Sequence, residues 1–526
     1  MTDSTWTGFD TSRCWRLALA LALTCTAGLL AACGGGSDSG PASAPVALTS
    51  NSVEPAPVSL TRSSVEPVGA NCAAGGARRQ TGFDANANGI LDAGEITATT
   101  YTCNKAWGSA ALIEADNAGS AVNPQVAFDR SGNALAVWAQ HRGPGTATSI
   151  WSARYTAATG WGAPVLVETN DSGDAGNPQL AVDASGNAMA VWGQESGVIP
   201  FRRSIWASRY SAAGWGVPVL IETDDTGSAD APKVVMDAGG NALAVWVQDD
   251  GNARRINANR YSAATQSWGA AAFVDRPATE GSDDVQIALD GAGNAIAVWS
   301  QRVGNSSSVW SSRYAVAASA WGAPKLLVTD DALAATSPQI AIDAAGNAWA
   351  AWSQVVGTRT HIVANRYSAE TGLWAGAAPL EAGPGDATSQ KIAMDDKGNA
   401  LAVWAQPEGA RYDVWSSRYT AGTGWGTAVL IETDNAGTVG SPKVAFDTGG
   451  NALAVWMQSD GTRFNIWSSR YTAGTGWGAA AAIDTRETSD ANNPQIAIDA
   501  AGNALAVWSR WRDTTGASDI WANVFK

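Results

Sequence analysis

The pattern D-x-x-G-N-A-x-A-V-W occurs eight times, beginning at Asp129, Asp183, Asp237, Asp290, Asp343, Asp395, Asp447 and Asp499. No other feature narrows the possible folds as far. Successive starts are 54 to 52 residues apart, and only Ala351-Trp352 breaks the closing A-V-W. A fixed period of this length marks stacked supersecondary units, none of which can bury its apolar surface alone. A run such as Pro124-Gln-Val-Ala-Phe-Asp129 precedes the anchor, and one such as Ile150-Trp151-Ser-Ala-Arg154-Tyr155 follows it. Gly160-Trp161-Gly162 then leads into Val165-Leu-Val-Glu168. These runs are short, rich in β-branched and aromatic residues, and bounded by Gly, Asn, Asp or Pro, which are strand signals. In Ala134-Leu-Ala-Val-Trp138 one face carries Ala, Ala and Trp, the other Leu and Val. A sheet apolar on both faces belongs between two other sheets.

Four strands per unit, repeated eight times, predict an all-β chain: an eight-bladed β-propeller with four-stranded blades over residues 106–526. The last unit stops at Ile520-Trp521-Ala-Asn-Val-Phe525-Lys526, without its Trp-Gly strand. A spare one stands ahead of the first unit, Trp107-Gly108 through Leu112-Ile-Glu114. That N-terminal strand is expected to complete the last blade and close the ring, leaving no open edge. Within D-x-x-G-N the Asp can bond the backbone two residues on, and the Gly supplies positive φ. The repeated Asp is therefore read as a turn-former and not as a ligand.

Residues 1–32 read as a signal peptide. Arg13 and Arg16 precede the apolar stretch Leu17 to Leu30, which is too short to span a bilayer stably. Leu30-Ala31-Ala32-Cys33 resembles a bacterial lipobox, which implies lipidation of Cys33 and a membrane partner through that anchor. The residue after Cys33 is not Asp, which by the same resemblance points to the outer membrane. Residues 33–69, rich in Gly, Ser, Pro, Ala and Val, are expected to form a flexible tether. Cys14 and Cys25 leave with the signal peptide, so Cys72 and Cys103 remain to pair in an oxidising compartment.

Between them, in a module over residues 70–105, Asp84 to Glu95 matches a calcium-loop template position by position. Asp84, Asn86 and Asn88 supply alternate side-chain oxygens, Gly89 the turn, Ile90 a carbonyl, Asp92 a water-mediated contact and Glu95 a bidentate carboxylate. Ca2+ is the expected cofactor. With its glycines and cysteines this stretch also resembles a short disulfide-closed module of bacterial secreted proteins, which implies a structural calcium.

The formal charge of −15, with no Lys/Arg run, excludes nucleic acid as a partner. Enzyme constellations are missing from the sequence. His141 and His361 stand in equivalent loops with no acidic or nucleophilic motif beside them, and no G-x-S-x-G or zinc-spaced cluster occurs. Two polar series repeat instead. Arg precedes Tyr in the third strand (Arg154, Arg209, Arg260, Arg313, Arg366, Arg418 and Arg470), and an acid stands seven residues after each Trp-Gly tryptophan (Glu168, Glu222 and Glu432 among them), with Val328 the exception. One reading pairs the two series as Arg–carboxylate bridges between strands. The other joins Arg154, Arg209, Arg313, Arg418 and Arg470, the acids Glu168, Glu222 and Glu432, and Trp151, Trp206, Trp310, Trp415 and Trp467 as a carbohydrate site. The stretch Ile466-Trp-Ser-Ser-Arg-Tyr-Thr-Ala-Gly-Thr-Gly-Trp-Gly resembles the repeats of fucose-binding propeller lectins, whose repeats are shorter and rings smaller. That resemblance implies sugar binding between blades through Arg, Glu and Trp. Variable loops carrying Arg142, Arg202 and Arg203, with inter-blade acids such as Asp171, Asp174, Asp224, Asp225 and Asp434, fall on one face, the expected partner face.

The sequence thus points to non-catalytic binding of a glycan or protein at the cell surface. The alternatives are a sialidase-like glycoside-acting enzyme, whose Asp-box the D-x-x-G turn resembles loosely, and a scaffold for an envelope complex. Metabolic labelling with palmitate should tag the chain in a bacterial host, and a Cys33→Ser variant should lose the label and leave the membrane fraction.

Overall fold

The computed structural model describes residues 57–526 except 73, 116–118, 144, 169, 171, 198, 200, 224–225, 276–280, 305, 329–333, 382, 384, 434–436, 485–488 and 513–515. The signal peptide, Cys33, Asp171, Asp224, Asp225 and Asp434 lie outside the described residues. The chain divides into two compact units. The described part of one is residues 57–61 and 81–98, and the other is Arg62–Gln80 with Thr99–Lys526.

Three strands, β1 (Val58–Glu66), β2 (Gly76–Asp84) and β3 (Ile96–Cys103), form a sheet in that order. Strand β1 corrects the expected tether, because part of residues 33–69 is sheet. Its sequence VSLTRSSVE is mostly exposed, so it lacks the apolar alternation that betrays a half-buried strand. The Cys72–Cys103 disulfide is present, with Cα atoms 5.1 Å apart.

From residue 111 onward the chain is a succession of antiparallel sheets in a propeller-like all-β arrangement. In the first repeat β5 (Ala121–Phe128), β6 (Ala134–His141) and β7 (Thr148–Thr156) follow the short β4 (Ala111–Leu112). The fourth strand departs from expectation. It divides into β8 (Gly160–Trp161) and β9 (Val165–Leu166), both paired with β7. Gly162 still donates to the Arg154 carbonyl at 2.8 Å, but Gly162-Ala163-Pro164 then leaves the ladder, and a proline has no N–H to continue it. Among the described residues seven five-stranded sheets repeat this order, and an eighth has four strands. In that eighth sheet β4 pairs with the final strand, Ser518–Phe525, and Trp107 bridges Phe525. Ala106 and Lys526 exchange backbone bonds of 3.0 and 3.1 Å.

The first strand of each sheet lies against the first strand of the next, and Ala491–Ile498 against β5. Burial between sheets explains the apolar faces of β6 and its equivalents. Trp138, Trp192, Trp246, Trp299, Trp352, Trp404, Trp456 and Trp508 have no exposed surface. Trp192 sits among Val137, Ala139, Ile150 and Val167 of the preceding sheet. At the seam Trp138 sits with Val507, Ile520, Ala522 and Ile113. Each indole N–H in the first seven repeats donates to the Gln two residues on, as from Trp138 to Gln140 at 2.7 Å and from Trp299 to Gln301 at 3.3 Å.

The D-x-x-G-N turns are self-contained. Asp129 Oδ1 accepts from Ser131 N at 2.8 Å and Asn133 N at 2.9 Å, and its Oδ2 accepts from Asn133 Nδ2 at 3.0 Å. The Asn side chain then ties this turn to the next hairpin, as where Asn241 Oδ1 accepts from Ala263 N at 3.0 Å. The turn glycine is required twice over. Gly186 has φ +84°, and a Cβ there would lie 2.9 Å from Asp129 Oδ2 of the preceding turn. The same Gly-to-Asp approach recurs from turn to turn, and Gly132 completes the circle against Asp499. Gly186→Ala should therefore cost about 1–3 kcal/mol of stability, read as a lower denaturant midpoint. Ala at Gly162, where φ is ordinary and the nearest atom is 3.5 Å away, should change it little.

Candidate functional site: the grooves between successive sheets

The third strand carries the chemistry on two different faces. Trp151 lies opposite Trp138 in the ladder and Arg154 opposite Leu135. Three residues apart on a strand, they point to opposite sides. Trp151, Trp206, Trp310, Trp415 and Trp467 are partly buried and pack on the inter-sheet cores. The guanidinium of Arg142 lies 5.8 Å from the Trp151 ring centroid.

The acid series belongs to the frame. Glu168, Glu222 and Glu432 are 1 %, 3 % and 2 % exposed. Trp151 pairs with Leu166 and Val167 donates to Ile150, so Glu168 falls beside Ser149 at the far end of the strand from Arg154. The expected Arg–carboxylate bridges between the two series therefore do not form. In some repeats the acid receives the W-x-Q side chain of the next repeat, as Gln140 Nε2 donates to Glu114 at 3.0 Å and Gln458 Nε2 to Glu432 at 3.2 Å, whereas Glu168 accepts from Asn170 N at 2.7 Å. This burial also corrects the reading of Glu168, Glu222 and Glu432 as sugar ligands.

Other repeats vary the same layer. Arg255 meets Asp275 at 3.0 Å, His361 Nδ1 lies 2.7 Å from Glu381 Oε1, and Arg411 meets Asp413 at 2.8 Å. His361 thus has an acidic partner that its own sequence neighbourhood does not show. The loop arginines are largely engaged as well. Arg203 holds Glu195 at 2.8 Å, Arg254 holds Asp283 at 2.7 Å and Arg512 holds Asp519 at 2.9 Å. Asp174 accepts from Thr148 N at 2.7 Å. The face expected to meet a partner spends much of its charge internally.

What the fold does bring together is the Arg of one repeat with the Tyr and the Trp-Gly tryptophan of the next. A cavity of about 300 Å³ is lined by Arg209 with Tyr261 and Trp268, and one of about 290 Å³ by Arg260 with Tyr314 and Trp321. Each aromatic pair is built by the ladder, because Tyr261 is opposite Trp268 and Tyr314 opposite Trp321. The rings meet edge to face, 5.7 and 5.5 Å between centroids. Arg154 Nη1 reaches Tyr210 Oη at 3.4 Å, and Arg418 lies over the Tyr471 ring at 4.8 Å. Arg313 leans instead toward Asp290, at 3.8 Å, and Arg470 stacks on Phe525, 5.5 Å from its centroid.

Several donors in these grooves are unmatched. Buried Nε of Arg209 and Arg366, Nη1 of Arg418, and Nε1 of Trp161, Trp215 and Trp425 have no acceptor among the described residues. Buried donors without partners are uncommon in folded proteins. The signal for these tyrosines was present in the Arg-Tyr dipeptide, but only strand direction reveals that the Arg meets the next repeat's ring.

Burial also leaves an electrostatic trace. It pushes the Glu432 carboxyl above its ordinary range, with the nearby Asp413 adding to the shift. A folded-state pKa above the unfolded value means that the folded chain holds the proton longer, so stability falls as pH rises through that window. Glu432→Gln should therefore stabilise the protein near neutral pH, read as a raised melting temperature. The gain should vanish below the ordinary carboxylate range, as thermal melts across pH would show.

Residues 59–103 match the model of a family described as a domain of unknown function, DUF7151. No curated protein matches the chain in sequence. Among solved structures, a protein of unknown function from Dyadobacter fermentans is 11% identical, with 60% of this chain and 98% of that one covered and a TM-score of 0.38. The intramolecular trans-sialidase from Ruminococcus gnavus is 12% identical, covering 65% and 91%, with a TM-score of 0.37. The α-L-arabinofuranosidase of Fusarium graminearum is 12% identical, covering 66% and 91%, with a TM-score of 0.38.

Proposed function

We propose that this chain is a lipid-anchored, eight-bladed β-propeller of the outer membrane that recognises a glycan, without catalysis, in repeated grooves between its blades. The observation that carries this reading is the groove itself: an Arg with unmatched donors beside an edge-to-face Tyr–Trp pair. Sugar hydroxyls accept from guanidinium and indole N–H groups, and the C–H face of a pyranose packs on an aromatic ring. Shallow copies of one site gain strength together, because binding at one raises the effective concentration at the next.

The N-terminal loop is proposed to hold Ca2+ in a structural role. Asp84, Asn86, Asn88, Asp92 and Glu95 are already drawn around one another. Asp92 Oδ2 accepts from Asn86 Nδ2 at 2.9 Å and from Asn88 Nδ2 at 3.0 Å, and Gly89 turns at φ +76°. Among the described residues no three His, Cys, Asp or Glu side chains converge, so the asparagine and backbone oxygens would have to complete the shell.

A glycan array probed with the purified full-length chain, with and without calcium, tests the proposal. Saturable binding should appear, and Arg209→Ala with Trp268→Ala should weaken it about tenfold or more through lost avidity. An array without signal would sink the glycan reading and leave the scaffold of an envelope complex. Turnover of aryl glycosides would overturn the non-catalytic one.

A further inference from the structure

The first strands follow one another in a closed ring, and four of them line an axial cavity of about 550 Å³ whose walls include Ser337, Ser389, Ser441, Lys391, Lys443 and the carboxylate of Asp284. It lies at the ends where the first strands begin, away from the D-x-x-G-N turns. Each first strand carries a bulge, with one residue in the left-handed region: Asn123, Asn177, Ala231, Asp284, Ser337, Ser389, Ser441 and Asn493, φ 51° to 59°. A bulge re-aims the residues around it and is a common feature beside functional sites. Here it sets small polar side chains at the cavity mouth, with a second ring of longer ones two residues on.

That second ring is Gln125, Gln179, Lys233, Gln286, Gln339, Lys391, Lys443 and Gln495. Five repeats build the same strand with glutamine, so lysine is not needed for the fold. Three ammonium groups nevertheless converge on one axis in a chain whose net charge is −15. Lys391 Nζ donates to Gln339 Oε1 at 2.7 Å and Lys233 Nζ to Gln179 Oε1 at 3.4 Å, both neutral acceptors. Among the described residues none of the three forms an ion pair within 4.0 Å, and no acceptor stands against Lys443 Nζ. Asp284 is the one carboxylate among the cavity's lining residues, and its charge acts on Lys233.

We propose that this axial cavity is a binding site for an oxyanion: a carboxylate, sulfate or phosphate group held by Lys391 and Lys443, with Lys233 adding charge. The bulge hydroxyls of Ser337, Ser389 and Ser441 supply neutral donors beside it. Burial and the mutual repulsion of the lysines bring Lys391 down to about 7 and Lys443 to about 8. An oxyanion reverses both effects, because it favours the charged ammonium and is held most strongly when the lysines are protonated. This inference concerns the axis and not the grooves between sheets, so it stands or falls apart from the glycan proposal.

Isothermal titration of the full-length chain with sodium sulfate, inorganic phosphate and galacturonate tests it at about pH 6 and about pH 9, against matched chloride. Saturable binding near pH 6 is expected, weakening about tenfold or more as the lysines lose their protons near pH 9. The Lys391→Gln/Lys443→Gln double variant installs the residue that five repeats already carry. It should keep or raise the melting temperature while losing binding about tenfold or more. Tighter binding of sulfate or phosphate than of galacturonate identifies a free ion as the ligand, and the reverse order identifies the acid group of a sugar. Binding unchanged in the double variant, binding stronger at the higher pH, or no heat with any of the three anions would overturn the proposal.

Discussion

Burial of one indole between every pair of neighbouring sheets is the interaction on which the rest of this structure depends. A sheet with alanine and tryptophan on one face and leucine and valine on the other has no stable existence alone. Stacked in series, each sheet supplies the other half of its neighbour's core, as Val137 and Ile150 do for Trp192. Removing one such ring would forfeit about 3–5 kcal/mol. A buried indole also needs an acceptor for its N–H. The glutamine two residues on provides it, and in several repeats that glutamine is satisfied in turn by the acid of the preceding sheet. In those repeats the acid supports the buried tryptophan through its glutamine, and in others it pairs with a basic side chain such as Arg255 or His361.

Closure follows from the same economy of partners. An open stack would leave one indole face and one row of backbone groups exposed at each end. The chain avoids this by placing β4 beside its own last strand and by nesting Gly132 against Asp499, as each turn glycine nests against the Asp of the turn before. The Asp carboxylate is engaged two or three times within its own turn, so it serves the hairpin first.

Against a frame repeated so closely, departures are informative. Lysine in place of glutamine at 233, 391 and 443 costs repulsion and desolvation that the frame does not require. Arg255, His361 and Asp413 alter the buried layer and are each matched by a complementary acidic or basic partner, Asp275, Glu381 and Arg411. The matched departures read as local repairs. Among the described residues Lys233 and Lys391 have neutral acceptors but none of the three lysines has an ion pair, and this separates a candidate ligand site from a variation in packing.

Strand positions, the turn role of the repeated Asp and the Cys72–Cys103 disulfide were legible in the amino-acid sequence. They depend on local backbone preference, on period and on simple counting of cysteines. Strand β1 was not legible, because nearly every side chain on it faces water and no alternation marks it. Nor was the true setting of the Arg series. The sequence places Arg154 near Trp151 and ahead of Glu168, yet the pleat sends Arg154 and Trp151 to opposite faces and the ladder carries Glu168 to the other end of the strand. By itself the sequence determined what each repeat is, since a repeat is held by contacts close along the chain. Which repeat's arginine meets which ring, and which eight side chains share the axis, was decided only by the tertiary structure. Those neighbours lie about one full period apart, where no local pattern reaches.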